Sequence, residues 1–261
     1  MIKTRIIPTL LYKDFTLVKG VSFNSWRRVG SVMQAVKVYN LRGVDELVFF
    51  DITATLEGRP PDFNLVDDFA DECFMPLTVG GGVCTVEDVR RLLQCGADKV
   101  AINSAAATNP GLIKEAAQKF GSQCVVVSID AKRLDSGKYR VVINSGRKLT
   151  DAEPAAFAKQ AELLGAGEII LTSIDRDGTM QGYDIELVRK VTEAVSIPVI
   201  ASGGAGDFQH VFDVIAEGKA SAVAAASIFH FTEITPLEIK YFLKQKGINV
   251  RIGQERGRLL V

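Results

Sequence analysis

Short apolar runs recur along this chain, and between them lie stretches in which apolar positions return every three or four residues. The runs fall at residues 5–10, 46–51, 77–80, 99–102, 124–129, 168–172, 199–201 and 222–225. Runs of this length, bounded by glycine or polar residues, predict strands buried on both faces. The segments between them, such as 86–94, 110–119 and 153–164, have the helical period. Eight strand–helix alternations predict parallel strands, and eight is the number that closes into a barrel. The expected fold class is therefore α/β, a (βα)8 barrel.

The pattern also repeats. At a fixed offset of 122, Gly43 matches Gly165, Glu46 matches Glu168, Pro76 matches Pro198, Gly81 matches Gly203, Gly82 matches Gly204 and Gly96 matches Gly218. Such spacing predicts one domain made of two half-barrels, about 1–122 and 123–251, with a polar tail at 252–261.

Composition narrows the function classes. The chain has 261 residues, 47% of them hydrophobic, enough to fill one such barrel. Lys plus Arg and Asp plus Glu each number 31, so no bulk field favours nucleic acid or an anionic membrane. No signal pattern or long apolar run is visible, so a soluble cytoplasmic protein is expected. Cys73, Cys84, Cys95 and Cys124 lack metal-ligand spacing and read as reduced core residues. With only His210 and His230 available, neither a metal centre nor a cofactor is expected.

Strand parity then places side chains. If Leu11 and Asp130 point inward at the top of the first and fifth strands, so do Arg5, Ile7, Thr9, Val126 and Ser128. Arg5 and the first positions of strands two, four and six (Glu46, Lys99 and Glu168) then ring the bottom opening. Two readings stay open: a plug of paired charges, or a gate through which a neutral molecule such as ammonia enters an apolar lumen. At the top, the third strand ends in Gly80-Gly81-Gly82 and the seventh in Ser202-Gly203-Gly204. Strands four and eight end near Asn103-Ser104 and Ser227, and strand six runs into Asp177-Gly178. The glycines either permit tight turns or, with the following helix starts, cradle two phosphates on opposite rims.

Several segments carry a family resemblance: Arg5-Ile6-Ile7-Pro8, Val18-Lys19-Gly20, Asp45 to Ala54, Thr78 to Gly82, Gly96 to Val100, Gly165 to Glu168, Asp175 to Gly178 and Ile200 to Gly206. Together they resemble the cyclase subunit of imidazole glycerol phosphate synthase, from about residue 3 to residue 252. The resemblance implies a glutaminase partner docked on the bottom face, with Asp98 meeting it. Arg5, Glu46, Lys99 and Glu168 would be an ammonia gate. Gly82, Asn103 and Ser104 would hold one phosphate of a doubly phosphorylated small molecule, and Asp177, Gly178, Gly203, Gly204 and Ser227 would lie at the other. Lys19 would sit on a mobile loop that closes over substrate, and Asp130 would be one of two catalytic aspartates.

The second aspartate position is Leu11. Thr9 stands where the family usually has cysteine, and Phe15 replaces a turn glycine. A leucine moves no proton, while a positioned acid or base contributes roughly 10²- to 10⁴-fold in rate. The leading expectation is a synthase-type subunit of a glutamine amidotransferase that relays ammonia, with weakened cyclase chemistry. Divergent members that resemble it accompany surface-polysaccharide genes, implying acetamidino-sugar synthesis with a sugar amidotransferase. The alternative is a true cyclase of histidine biosynthesis, and a third reading is a non-catalytic barrel that binds a phosphorylated ligand. Trp26, Arg27 and Arg28 read as a solvated loop with one anchoring aromatic, His210 as an exposed surface residue and His230 as structural.

Overall fold

The computed structural model describes residues 3–252. Its strands are β1 (Arg5–Lys13), β2 (Thr16–Val21), β3 (Asn24–Gly30), β4 (Leu47–Asp51), β5 (Leu77–Gly80), β6 (Lys99–Ile102), β7 (Val125–Arg133), β8 (Tyr139–Ile143), β9 (Lys148–Leu149), β10 (Glu168–Ser173), β11 (Val199–Ser202) and β12 (Ala222–Ala225). Eight of them, in the order β1, β4, β5, β6, β7, β10, β11 and β12, pair in parallel and close into a barrel through the β7–β10 and β12–β1 ladders. Helices cover the outside. The predicted (βα)8 barrel is the fold.

Alternating parity divides the apolar side chains into two cores. Ile6, Leu10, Leu47, Phe49, Val127, Ile129 and Leu171 face outward and pack against the helices. Ile7, Val48, Ala101, Val126, Ile170, Ile200, Ala222 and Ala224 face inward and fill the lumen. Each of these inward residues is at most 2% exposed, so burial of both strand faces drives closure.

The offset of 122 also recurs in local geometry. Asp62 caps the helix Phe63–Ala70 by accepting from the Leu65 N–H, and Asp184 caps Ile185–Thr192 by accepting from Leu187 N–H. Their backbone angles agree to within a degree, φ −80 and ψ 87 against φ −80 and ψ 86. A side-chain oxygen at this position satisfies one of the free N–H groups that begin a helix.

Four expectations need correction. First, β1 and β7 run three and four residues past their predicted ends, because each continues into an antiparallel hairpin. Residues 16–30 are thus the ladder β2–β3, not an open loop. Second, the four cysteines are free, but none is buried, and Cys84 is exposed. Third, His210 is half-buried rather than exposed, because its ring packs beside Gly182. Fourth, Ile252, assigned to the polar tail, packs against the core, and residues 253–261 lie outside the described residues.

Candidate active site

At the lower end, the four predicted side chains meet in one ring. Arg5 donates to Glu46 at 2.6 Å and to both carboxylate oxygens of Glu168. The Lys99 ammonium donates to Glu46 at 2.9 and 3.0 Å and to Glu168 at 2.9 Å. Each carboxylate therefore lies between two cations, and Thr78 Oγ1 adds a donor to Glu46 at 2.9 Å. The ring is closed, and the layer of inward apolar side chains stands above it. Asp98 is exposed beside it, with Oδ2 accepting from the Leu77 N–H at 2.8 Å.

At the upper end, the strand termini enclose a pocket with about 1040 Å³ of empty space, part of it open to solvent. It is lined by Leu11, Lys19, Asn103, Ser104, Asp130, Asp177, Gly178, Gly203, Gly204 and Ser227, so ten of the predicted positions converge there. Gly82 does not line it; Gly81 does, while the Gly82 N–H donates to Thr55 Oγ1 at 3.3 Å.

Leu11 and Asp130 occupy matching places. Leu11 pairs with Phe50 of β4, and Asp130 pairs with Thr172 of β10, partners separated by the same 122 residues. Their strands are four steps apart in a ring of eight, so the two side chains approach the pocket from opposite walls.

Asp130 is buried, and its Oδ2 accepts from the Asn103 amide at 3.0 Å. Burial pushes the Asp130 carboxyl up to about 7; the Asn103 bond opposes that shift, and the charge of Asp177 adds to it. A carboxyl with that value can take or give a proton at neutral pH. The same Asn103 amide donates to Ser128 carbonyl at 3.0 Å, so here Asn103 orients the carboxyl rather than facing outward to an anion. Ser104 Oγ accepts from the Asn144 N–H at 2.9 Å, while Ser227 Oγ is buried and has no hydrogen-bond partner.

Among the described residues, neither of the other carboxyls that line the pocket is free to stand in for the position of Leu11. Asp51 accepts from Arg59 at 2.7 Å and from the Thr53 and Ala54 N–H groups. Asp177 accepts from Lys19 Nζ with both oxygens at 2.7 Å, a pair in which the lysine side chain is 2% exposed. Asp14 is exposed in the β1–β2 turn.

The Lys19–Asp177 pair fastens the β2–β3 hairpin across the mouth. Ser22 N–H donates to the Asp177 carbonyl at 2.8 Å, and a Cβ on Gly178 would lie 2.1 Å from the Gly20 carbonyl oxygen. Gly178 has φ +75, so only glycine meets both demands without strain. The hairpin brings Phe23 and Trp26 into the pocket wall, so Trp26 is a site residue and not a loop anchor. Burial, with the charge of Lys19 adding to it, holds the His230 imidazole down at about 4, which keeps it neutral and fits a structural role.

A family model described as histidine biosynthesis protein matches residues 5–235. The chain belongs to this family. It is also similar to the imidazole glycerol phosphate synthase subunit HisF of Geobacillus thermodenitrificans (strain NG80-2), being 50% identical over 252 residues. That match covers 96% of this chain and 100% of the relative. As a member of the histidine biosynthesis family, the chain places its ion-paired ring and the raised carboxyl of Asp130 at opposite ends of one barrel. Among the described residues no group of acidic, cysteine and histidine side chains could hold a metal, and no helix is long and apolar enough to cross a membrane.

Proposed function

We propose that this protein is a synthase subunit of the imidazole glycerol phosphate synthase kind. It takes ammonia from a glutaminase docked on the lower face near Asp98 and uses it on a doubly phosphorylated substrate in the upper pocket. The observation that carries this reading is the 50% identity to a HisF subunit over that subunit's whole length. The geometry supports it. Neutral ammonia would enter when the Arg5–Glu46–Lys99–Glu168 ring opens, and the apolar lumen above would disfavour its protonation. At the top, Asp130 is the group that accepts a proton from the attacking amine and returns one during ring closure, as its value near 7 allows. Glycine turns after β5 and β11, with Ser104 and Ser227, would hold the two phosphates.

The test is direct: purified protein, ammonium salt and the ribulosyl bisphosphate substrate, with product formation followed over time. Turnover comparable to ordinary synthases supports the reading. A rate lower by more than about 10²-fold, the typical worth of one positioned acid or base, overturns it.

One observation favours a second reading. Leu11 stands where the resemblance implies a carboxyl, and among the described residues none replaces it, which suits a barrel that relays ammonia to another acceptor, such as a sugar bound by a separate amidotransferase. On that reading the partner glutaminase is stimulated by this chain although cyclase turnover is absent. A barrel that only binds a phosphorylated ligand would give neither result.

A further inference from the structure

The upper rim carries two hairpins, one from each half of the chain, and both are one-sided in charge. Residues 15–44 contain no Asp or Glu, and neither do residues 136–150, although the whole chain is formally neutral. The first stretch holds the β2–β3 hairpin and the second holds β8 and β9. The two meet, since a Cβ on Gly146 would lie 2.8 Å from the Phe23 ring. Arg27 and Arg28 on β3, with Arg147 and Lys148 next to that contact, are exposed. None of the four has an ion-pair partner among the described residues.

β3 is also an open edge. It pairs with β2 alone, and among the described residues no other backbone group bonds residues 24–30. An unpaired edge presents N–H and C=O groups to any extended chain laid beside it. The ladder is regular where Lys19 faces Arg27 and Val18 faces Arg28. Neighbouring strand residues point to opposite faces, so the two arginines put one cation on each face of the ribbon. The side chains of an added strand alternate in the same way, and two consecutive acidic residues would meet both cations. The same arginines repel β3 of a second copy, so the edge disfavours self-association. Because Lys19 and Asp177 fix the hairpin across the mouth, an added strand lies at the rim of the upper pocket.

We propose that the outer edge of β3 docks an extended acidic segment of another protein as an added strand, with adjacent carboxylates beside Arg27 and Arg28. The proposal holds whichever reaction the pocket carries out.

The test uses the full chain and the peptide acetyl-Thr-Val-Thr-Glu-Glu-Thr-Val-Thr-amide, with versions carrying Gln-Gln or Lys-Lys at the centre. Trp26, the only tryptophan, reports from β3 itself, calorimetry gives affinities, and hydrogen exchange locates the peptide. The acidic peptide is expected to bind about fivefold or more tightly than the Gln-Gln version at low salt, as two opposite-charge cross-strand pairs allow. That advantage should shrink below about twofold near 1 M salt, and amide exchange of residues 24–30 should slow on binding. Arg27→Glu with Arg28→Glu changes exposed positions only, so folding is kept, and it should turn the preference toward the Lys-Lys peptide. The milder Arg27→Gln with Arg28→Gln should remove the preference. The two valines of the peptide have opposite parity, so one of them faces β3, and replacing both by proline should weaken binding about fivefold or more. Equal binding of the acidic and Gln-Gln peptides, or no binding at about 1 mM, would overturn the proposal. So would undiminished binding of the proline version, a preference untouched by charge reversal, protection that spares β3, or tighter binding of single-stranded DNA of similar charge.

Discussion

The two ends of this barrel treat buried carboxyl groups in opposite ways. Below, Glu46 and Glu168 are each held between the Arg5 guanidinium and the Lys99 ammonium. Above, Asp130 has an amide for a partner, and the nearby cation, Lys19, is already committed to Asp177. Burial is similar, with Glu168 at 6% and Asp130 at 9% exposure, so burial alone does not separate them. Access to a cation does. A carboxyl between cations is a structural clamp, whereas one without them is left to exchange its proton near neutral pH.

Removing the upper carboxyl should have the largest effect. Asp130→Asn keeps the shape and the contact with Asn103 but abolishes proton exchange, so kcat for cyclization is expected to fall by about 10²- to 10⁴-fold with little change in KM. An unchanged kcat would show that the two ends do not differ in function. Breaking the lower clamp should act on stability instead. Arg5→Met leaves two buried carboxylates with one cation between them, at a cost of roughly 2–4 kcal/mol once the partial exposure of Arg5 is allowed for. Thermal unfolding should show a fall of about 5–10 °C in Tm.

The third expectation concerns pH. The folded value of Asp130 is raised, so its contribution to stability is present below its unfolded value, about 3.9, and is lost as pH rises through about 7. The loss is on the order of 2–4 kcal/mol. Asp130→Asn has no proton to lose, so its Tm relative to the unaltered protein should climb by several degrees between about pH 5 and pH 8.5. A parallel pair of curves would mean the carboxyl is not perturbed. The smallest effect is expected from Leu11→Asp, which makes the upper mouth a two-carboxyl site. It should raise cyclase turnover by about tenfold and move the alkaline side of the pH–rate profile upward, since a second negative charge disfavours ionising Asp130.

Most of the frame could be read from the residues. The runs at 77–80, 99–102 and 222–225 coincide with β5, β6 and β12, and inward parity correctly brought Arg5, Glu46, Lys99 and Glu168 together. Periodicity is a local property that survives without knowledge of contacts. The hairpins β1–β2 and β2–β3 were not legible for a physical reason. Their two-residue turns, Asp14-Phe15 and Ser22-Phe23, adopt positive φ at both positions without the Asn-Gly or Asp-Gly signature that announces such turns. The role of Asn103 was equally hidden, because its partner lies 27 residues away on another strand. Leu11 was legible as a missing charge, but Trp26, which lines the same pocket, reaches it only through the unread hairpin.

Leu11 and Asp130 hang from ladder partners set 122 residues apart, so one strand exit carries a hydrocarbon where its counterpart carries a carboxyl. A polypeptide joining two copies of the second half would present an aspartate on each wall, and one joining two copies of the first half would present none. Such duplicates would turn a question about chemistry into one of dosage, with zero, one or two titrating groups on a common scaffold.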